Sequence, residues 1–264
     1  MAELPAPQTL LLAQTDGVLT VTFNRPDVLN AVNEQLSKDL QDVLRFADRS
    51  TDVRCIVLTG AGRGFCSGQD LRDRTGAGDV SYGESIRRRY NPIILSLSTL
   101  EKPVIAAVNG VAAGAGCNLA LAADMRIASD RARFIEVFSR IGLIPDSGGT
   151  YHLPRLVGLA KAFELAYTAD EVTAEDAMRI GLVNRVVPHA DLMTVTIDLA
   201  RRLAAGPTRG YGLTKRAFRY GLGASLEATL DYEAHMQEIA GRTADHREGV
   251  AAFLEKRKAQ FQGR

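Results

Sequence analysis

Residues Pro103-Val104-Ile105-Ala106-Ala107-Val108 run directly into Asn109-Gly110-Val111-Ala112-Ala113-Gly114-Ala115-Gly116, and this junction restricts the fold more than any other stretch. A short continuous apolar run bounded by turn residues reads as a strand buried on both faces. Three glycines in seven residues then allow close approach of a neighbouring backbone or a ligand, and Asn118–Ala123 follows as a short helix of small residues. A helix start offers unpaired N–H groups and the positive end of a dipole, so an anion or oxyanion site is one reading. Close helix–strand packing is the other, and these features alone do not separate the two.

The rest of the chain extends this into an α/β core. Leu10–Leu12 and Val18–Phe23 read as strands joined through Asp16-Gly17, a hairpin signal. Leu36, Leu40, Val43, Leu44 and Ala47 fall at helical spacing between Asn33 and Asp48. Cys55–Thr59 is a second buried strand, Met125–Ala128 a third, Phe134 lies on a short extended stretch, and Val183–Val187 is a later strand. Helices are expected over 86–100, with Pro92 interrupting the early part, and over roughly 151–167, 173–179 and 190–204. Residues 72–82 are polar and contain glycine, which predicts a mobile loop. Past Gly206-Pro207 no strand pattern remains; Leu226, Leu230, Tyr232 and Met236 share one helical stretch, and Val250, Phe253 and Leu254 another. The expected organisation is a core over 1–205 and a helical region over 206–264. With no core of its own, that region must pack on the main body or on another subunit.

With 264 residues, 46% of them hydrophobic, the chain can bury a large core. Charges nearly cancel, 32 basic against 31 acidic residues, which gives no global reason to expect nucleic acid or a membrane surface as partner. Cys55, Cys66 and Cys117 form an odd, sparse set that suits a reducing compartment, and neither they nor the four scattered histidines have metal-site spacing. The N-terminal stretch lacks a signal-peptide pattern and no run approaches a membrane helix, so the cytoplasm is the expected location.

Two further segments are candidates for chemistry. Gly60-Ala61-Gly62-Arg63-Gly64 follows a strand, but Phe65 stands where a dinucleotide fingerprint needs glycine and no G-K-[ST] follows, so a tight loop is the better reading. Ile144-Pro145-Asp146-Ser147-Gly148-Gly149-Thr150 places a carboxylate before a helix, where Asp commonly serves as an N-cap.

Five segments in order and spacing resemble the crotonase (enoyl-CoA hydratase/isomerase) superfamily: Asn24-Arg25-Pro26 with Leu29-Asn30-Ala31; Gly64 through Leu71; Pro103 through Asp124; Gly142 through Thr150; and Gly181-Leu182-Val183. They span nearly the whole chain. The resemblance implies a spiral of ββα units followed by helices that build homotrimers, often stacked in pairs as hexamers. It also implies an acyl-CoA thioester as substrate, coenzyme A being part of the substrate and not a cofactor. Two backbone N–H groups, here those of Gln69 and Ala115, would polarise the thioester carbonyl. Ser67, Gly68, Asp70, Leu71 and Gly114 belong to the same binding loops, and Arg25 to the adenine-side segment.

The chain departs from the family's hydratases. The positions of their two glutamates are occupied by Asn118 and Phe138, neither of which exchanges a proton near neutral pH. Hydration needs a base for the water and an acid for the carbon, so hydration is not expected. Asp146 stands where one-carboxylate family members carry their catalytic Asp, and one base can remove a proton at one carbon and return it at another. On a strand, Glu136 would share a face with Phe138 but sit some 7 Å along it, and is not a candidate on that geometry. The texture of Gly110–Gly116, Ser139–Thr150 with Leu153-Pro154-Arg155, and the tail segment Ala240–Asp245 is most similar to ring-epoxide isomerases of phenylacetate degradation. Fatty-acid enoyl- or dienoyl-CoA isomerisation, acyl-CoA binding without catalysis, and dehalogenase-type attack by Asp146 are the alternatives. Arg87-Arg88-Arg89 and Lys256-Arg257-Lys258 either meet CoA phosphates or form solvated faces, and His152 reads as structural.

Overall fold

Asp16 and Gly17 both take positive φ, 53° and 76°, the pair of left-handed residues that a tight hairpin turn requires. They fold β1 (Leu10–Thr15) onto β2 (Val18–Phe23), antiparallel, with Thr15 opposite Val18. In this computed structural model, which describes residues 3–75 and 81–264, α1 (Glu34–Arg49) starts at Asn33, whose Oδ1 accepts the Leu36 N–H at 2.9 Å. The apolar positions expected from helical spacing are the ones α1 buries.

From β3 onward the chain repeats one plan: a strand joins a large sheet, a shorter strand joins a small one, and helix returns. β3 (Cys55–Gly60) and β4 (Gly64–Cys66) lead to α2 (Leu71–Thr75), α3 (Tyr82–Ser85) and α4 (Asn91–Thr99). β5 (Val104–Val108) and β6 (Val111–Ala113) lead to α5 (Ala115–Leu121). β7 (Met125–Ser129) and β8 (Arg133–Ile135) lead to α6 (Gly149–Val157) and α7 (Leu159–Thr168). β9 (Val172–Thr173) closes the small sheet, α8 (Ala174–Arg179) follows, and β10 (Arg185–Val187) closes the large one. The sheet orders are β1-β2-β3-β5-β7-β10 and β4-β6-β8-β9, parallel except for β1 and β9. This is the α/β crotonase-like spiral of ββα units expected from the resemblance.

The strands are apolar on both faces because both are covered. Ile56, Leu58, Val104, Ala106 and Val108 face the main core. Cys55, Val57, Ile105 and Ala107 face α9 (Leu192–Ala204), packing with Leu192, Ala200 and Ala204. Past Gly206, α10 (Thr208–Gly221) docks on the body: Lys215 Nζ lies 2.8 Å from Asp124 Oδ1 and donates to Leu97 O at 2.7 Å. Arg54 reaches Gly206 O at 2.6 Å and Phe261 O at 3.0 Å, tying both ends of the helical region to β3. α11 (Leu226–Gly241) and α12 (Ala244–Leu254) complete it, with Leu226, Phe253 and Leu254 at least 74% exposed. Among the described residues, no helix is long and apolar enough to cross a membrane.

Several element expectations need correction. The loop expected over 72–82 is helical at both ends, in α2 and from Tyr82; residues 76–80 lie outside the described residues. Pro92 lies within a helical run that continues from Tyr82 to Thr99, just after the π-helical turn over Ile86–Tyr90 gives way to α4. α5 begins at Ala115, three residues before the expected start, and the helix expected over 151–167 is two, broken at Gly158 (φ 80°). The last strand starts at Arg185, not Val183.

Candidate active site

The site is built where two turns of the spiral touch. A methyl group on Gly116 would lie 2.1 Å from Cys66 O, and one on Gly68 would lie 2.8 Å from Ala113 O and 3.4 Å from the Ala115 nitrogen. Only glycine permits that approach, and Gly68 (φ 93°) and Gly114 (φ 51°) also hold backbone conformations that side chains resist. The β4–α2 loop and the start of α5 therefore share one surface.

That contact leaves two donors free. Gln69 bridges Val32 in parallel fashion, with Val32 N–H donating to Gly68 O and Asp70 N–H to Val32 O. In such a bridge the N–H of Gln69 itself points away from Val32. Among the described residues, no backbone hydrogen bond uses the N–H of Gln69 or of Ala115. Two unpaired amides on adjoining loops, one at a helix start, suit an oxyanion.

The flanking residues brace these loops. Ser67 donates from N to Leu29 O (3.0 Å) and from Oγ to Val28 O (3.2 Å). Arg25 Nη2 lies 2.8 Å from Asp70 Oδ2. Burial pushes the Asp70 carboxyl up, but the Arg25 hydrogen bond and charge and two backbone N–H groups outweigh it and hold the group below its ordinary range. Arg25 and Asp70 thus satisfy each other, while Leu71 projects with 60% exposure.

Asp146 is not an N-cap. Gly148 caps α6 in the left-handed conformation without a side-chain bond, and the Asp146 Oδ1 accepts the Ser147 hydroxyl at 2.8 Å. Its backbone oxygen takes two donors, Asn118 Nδ2 at 2.9 Å and Gly149 N–H at 2.8 Å. Burial raises the carboxyl above its usual range, and the Ser147 bond opposes this. Asn118 is wholly buried, and a methyl on Gly149 would lie 2.4 Å from its Nδ2. Phe138 is buried with its ring against Gly114, where a methyl would lie 3.7 Å from Cζ. The structure thus gathers Gln69, Ala115, Gly114, Asn118, Phe138 and Asp146, and sets Arg25 and Leu71 at the periphery.

Two residues escaped sequence reasoning. β8 ends at Ile135 and Val137–Ile141 is a 3-10 helix, so Glu136 does not share a strand face with Phe138. It is buried instead, with Oε2 3.5 Å from Asn118 Nδ2. Burial lifts its carboxyl to about 7, helped by the Asp146 charge and opposed by bonds from Cys117 and Asn118. Tyr90, at the end of the π turn, is 1% exposed and its hydroxyl has no partner among the described residues. Burial and the nearby Cys66 and Asp146 push its ionisation up. No pattern in the sequence signals either residue; their roles come from packing.

Three arginines of the basic runs are engaged in ion pairs. Arg88 pairs with Glu34 at 2.5 Å, Arg89 with Asp73 at 2.7 Å, and Arg257 with Glu248 at 2.6 Å. His152 packs against Gly148, and burial pushes its imidazole down to about 4. It borders a cleft of about 510 Å³ between α6 and α10 that includes none of the gathered residues.

The family model for enoyl-CoA hydratase/isomerase matches residues 13–264, and the chain belongs to that family, the crotonases, which act on acyl-CoA thioesters. It is 49% identical over 253 residues to the 1,2-epoxyphenylacetyl-CoA isomerase of Escherichia coli strain K12, covering 94% of this chain and 96% of that protein. It is 46% identical over 250 residues to a Rhodobacter capsulatus protein named "Probable enoyl-CoA hydratase", covering 95% and 96%. The crystal structure of an enoyl-CoA hydratase from Bacillus anthracis superposes with a TM-score of 0.91 at 34% identity, covering 97% of this chain and all of that one.

Proposed function

We propose that this chain is a cofactor-independent isomerase of acyl-CoA thioesters, converting 2-(1,2-epoxy-1,2-dihydrophenyl)acetyl-CoA to an oxepin-CoA in phenylacetate degradation. One observation carries the reading: Asn118 Nδ2 ties the Asp146 loop to α5, the helix that Ala115 opens, while Asn118 and Phe138 stand where the resemblance puts the hydratases' glutamates. The similarity to the epoxyphenylacetyl-CoA isomerase supports it. Hydration, the activity in the name of the second relative, would need a second proton-exchanging group beside the substrate.

In this reading the Gln69 and Ala115 N–H groups receive the thioester oxygen. Asp146 takes a proton from the carbon next to the thioester, and the electron pair passes to that oxygen as an enolate. Preorganised donors of this kind are each worth roughly 3 kcal/mol in the transition state. The ring C–C bond shared with the epoxide breaks while both C–O bonds stay, giving the seven-membered oxepin, and Asp146 returns its proton to a ring carbon, so no atom is gained or lost and no metal or cofactor is required. The same cycle without an epoxide shifts a double bond in an enoyl-CoA. Ser67, Gly68, Asp70, Leu71 and Gly114 shape the thioester cradle, Arg25 steadies it through Asp70, Asn118 orients the Asp146 loop, and Phe138 walls the acyl group. The apolar side chains exposed on α11 and α12 pair with other copies in a homotrimer or a hexamer of two trimers. Three free, buried cysteines suit the cytoplasm.

The test is Asp146→Asn assayed on the epoxide-CoA and on a 3-enoyl-CoA. Loss of about 100-fold or more in turnover is expected on both; near wild-type turnover on both would sink the assignment.

A further inference from the structure

Behind Asn118 lies a second carboxyl that the proposed reaction does not use. Glu136 is 3% exposed and Asn118 is fully buried, on β8's exit and on α5 respectively. Asn118 Nδ2 faces two oxygens, Asp146 O at 2.9 Å and Glu136 Oε2 at 3.5 Å. The remaining oxygens of this pair, Asn118 Oδ1 and Glu136 Oε1, are both buried without a partner among the described residues. Apart from the weakly donating Cys117 thiol, nothing stands ready to satisfy these two acceptors, and a buried polar atom left unpaired is destabilising. A single proton on Glu136 would supply a donor for Asn118 Oδ1, a bond only the neutral carboxyl can make, whereas the Nδ2 contact at 3.5 Å is long and by itself favours the ionised form.

The surroundings favour that proton. The Cys117 thiol touches Glu136, and burial holds that thiol well above its ordinary range, so it stays neutral. Asp146 adds like charge across Asn118. Asp170 borders the same void of about 10 Å³ as Glu136 and Cys117. Arg126 acts on Cys117 from β7, yet its guanidinium is spent on Leu182 O (2.7 Å) and Ala123 O (2.7 Å). Among the described residues, no cation pairs with Glu136 itself.

We propose that Glu136 is a positioning residue for Asp146: its neutral carboxyl holds Asn118, Asn118 holds the Asp146 loop, and ionisation of Glu136 loosens both. This rests on the reading of Asp146 as the proton-transferring group. Lifting of the Glu136 carboxyl to about 7 puts the change within the neutral range.

Two measurements test it on the intact protein. Infrared spectroscopy of the wild type at pH 6 should show a carboxylic-acid C=O band that Glu136→Gln lacks and that fades as pH rises through about 7. This readout is independent of any activity, so it decides the state of Glu136 even if Asp146→Asn overturns the functional reading. In turnover of a 3-enoyl-CoA, wild-type kcat should fall above that midpoint by up to about tenfold per pH unit, as a neutral fraction does. Glu136→Gln, neutral at every pH and the same shape, should lose this fall, while Glu136→Leu, which cannot bond Asn118, should have low kcat throughout with KM little changed. Absence of the band, or superimposable pH profiles for wild type and Glu136→Gln, overturns the proposal.

Discussion

The side-chain amide of Asn118 donates to the backbone oxygen of Asp146 at 2.9 Å, so α5 anchors the loop that carries the Asp146 carboxyl. Substitution at one position is coupled to geometry at the other. Asn118→Ala removes the bond and leaves the carbonyl with the Gly149 N–H alone. Loss of about 1 kcal/mol of stability is expected, together with a larger drop in kcat than in affinity for the CoA ester, measured by steady-state kinetics beside calorimetric binding.

Asp146 carries a linked pH dependence. Its carboxyl is raised by burial, so the folded state holds the proton more tightly than the unfolded chain, and stability declines as pH rises from the ordinary Asp range to the folded midpoint. A base must be ionised, so kcat/KM should rise with pH across that same midpoint, above the range of an ordinary Asp. Asp146→Asn should abolish the rise and melt at a higher temperature than wild type at neutral pH. A lower melting temperature for the variant would contradict the buried, raised carboxyl.

The crossing of the two loops makes a steric prediction. Gly116→Ala would place a methyl 2.1 Å from Cys66 O, a backbone atom that cannot swing aside. Overpacking of this kind costs about 1–3 kcal/mol. Thermal or urea unfolding should show that loss, and turnover should fall with it because the Ala115 N–H moves with the loop.

Tyr90→Phe should behave in the opposite way. The hydroxyl is buried without a partner among the described residues, and deleting an unsatisfied polar atom while keeping the ring removes a penalty of about 1 kcal/mol or more. A rise in the unfolding midpoint is expected. Destabilisation would mean that the hydroxyl has a partner in solution.

Lys215 and Asp124 join α10 to the body. Their side chains are 13% and 26% exposed, with burial pushing the Lys215 ammonium down and the Asp124 carboxyl up. Lys215→Met leaves Asp124 without its cation, and breaking a buried pair costs about 3 kcal/mol. Limited proteolysis should then cut near Gly206 faster than in the wild type.

Much of the scaffold was legible because the responsible forces are local. Asp16-Gly17 dictates its turn, and the apolar runs at 55–60 and 104–108 leave no face for water. The boundary of α5 was misplaced because Gly114-Ala115-Gly116 has low helix propensity; contact with Cys66 and Ala113 overrides it. Likewise the N-cap reading of Asp146 failed because Ser147 and Gly148, both at positive φ, carry the chain past the carboxylate before α6 begins. Strand geometry misplaces Glu136 because β8 ends at Ile135, one residue before it. What the pattern missed are tertiary partners, which no spacing encodes.

The meeting of Gly68 with Ala113–Ala115 has a consequence for how the protein gains and loses function. The two free amides come from consecutive turns of the spiral, separated in the chain by α2, α3, α4, β5 and β6. Neither turn carries a half-competent site. Activity should therefore vanish in step with cooperative melting of the core and should return only when both turns have stacked. Two separately made pieces, cut between α4 and β5, would each be silent and would regain turnover only on reassociation.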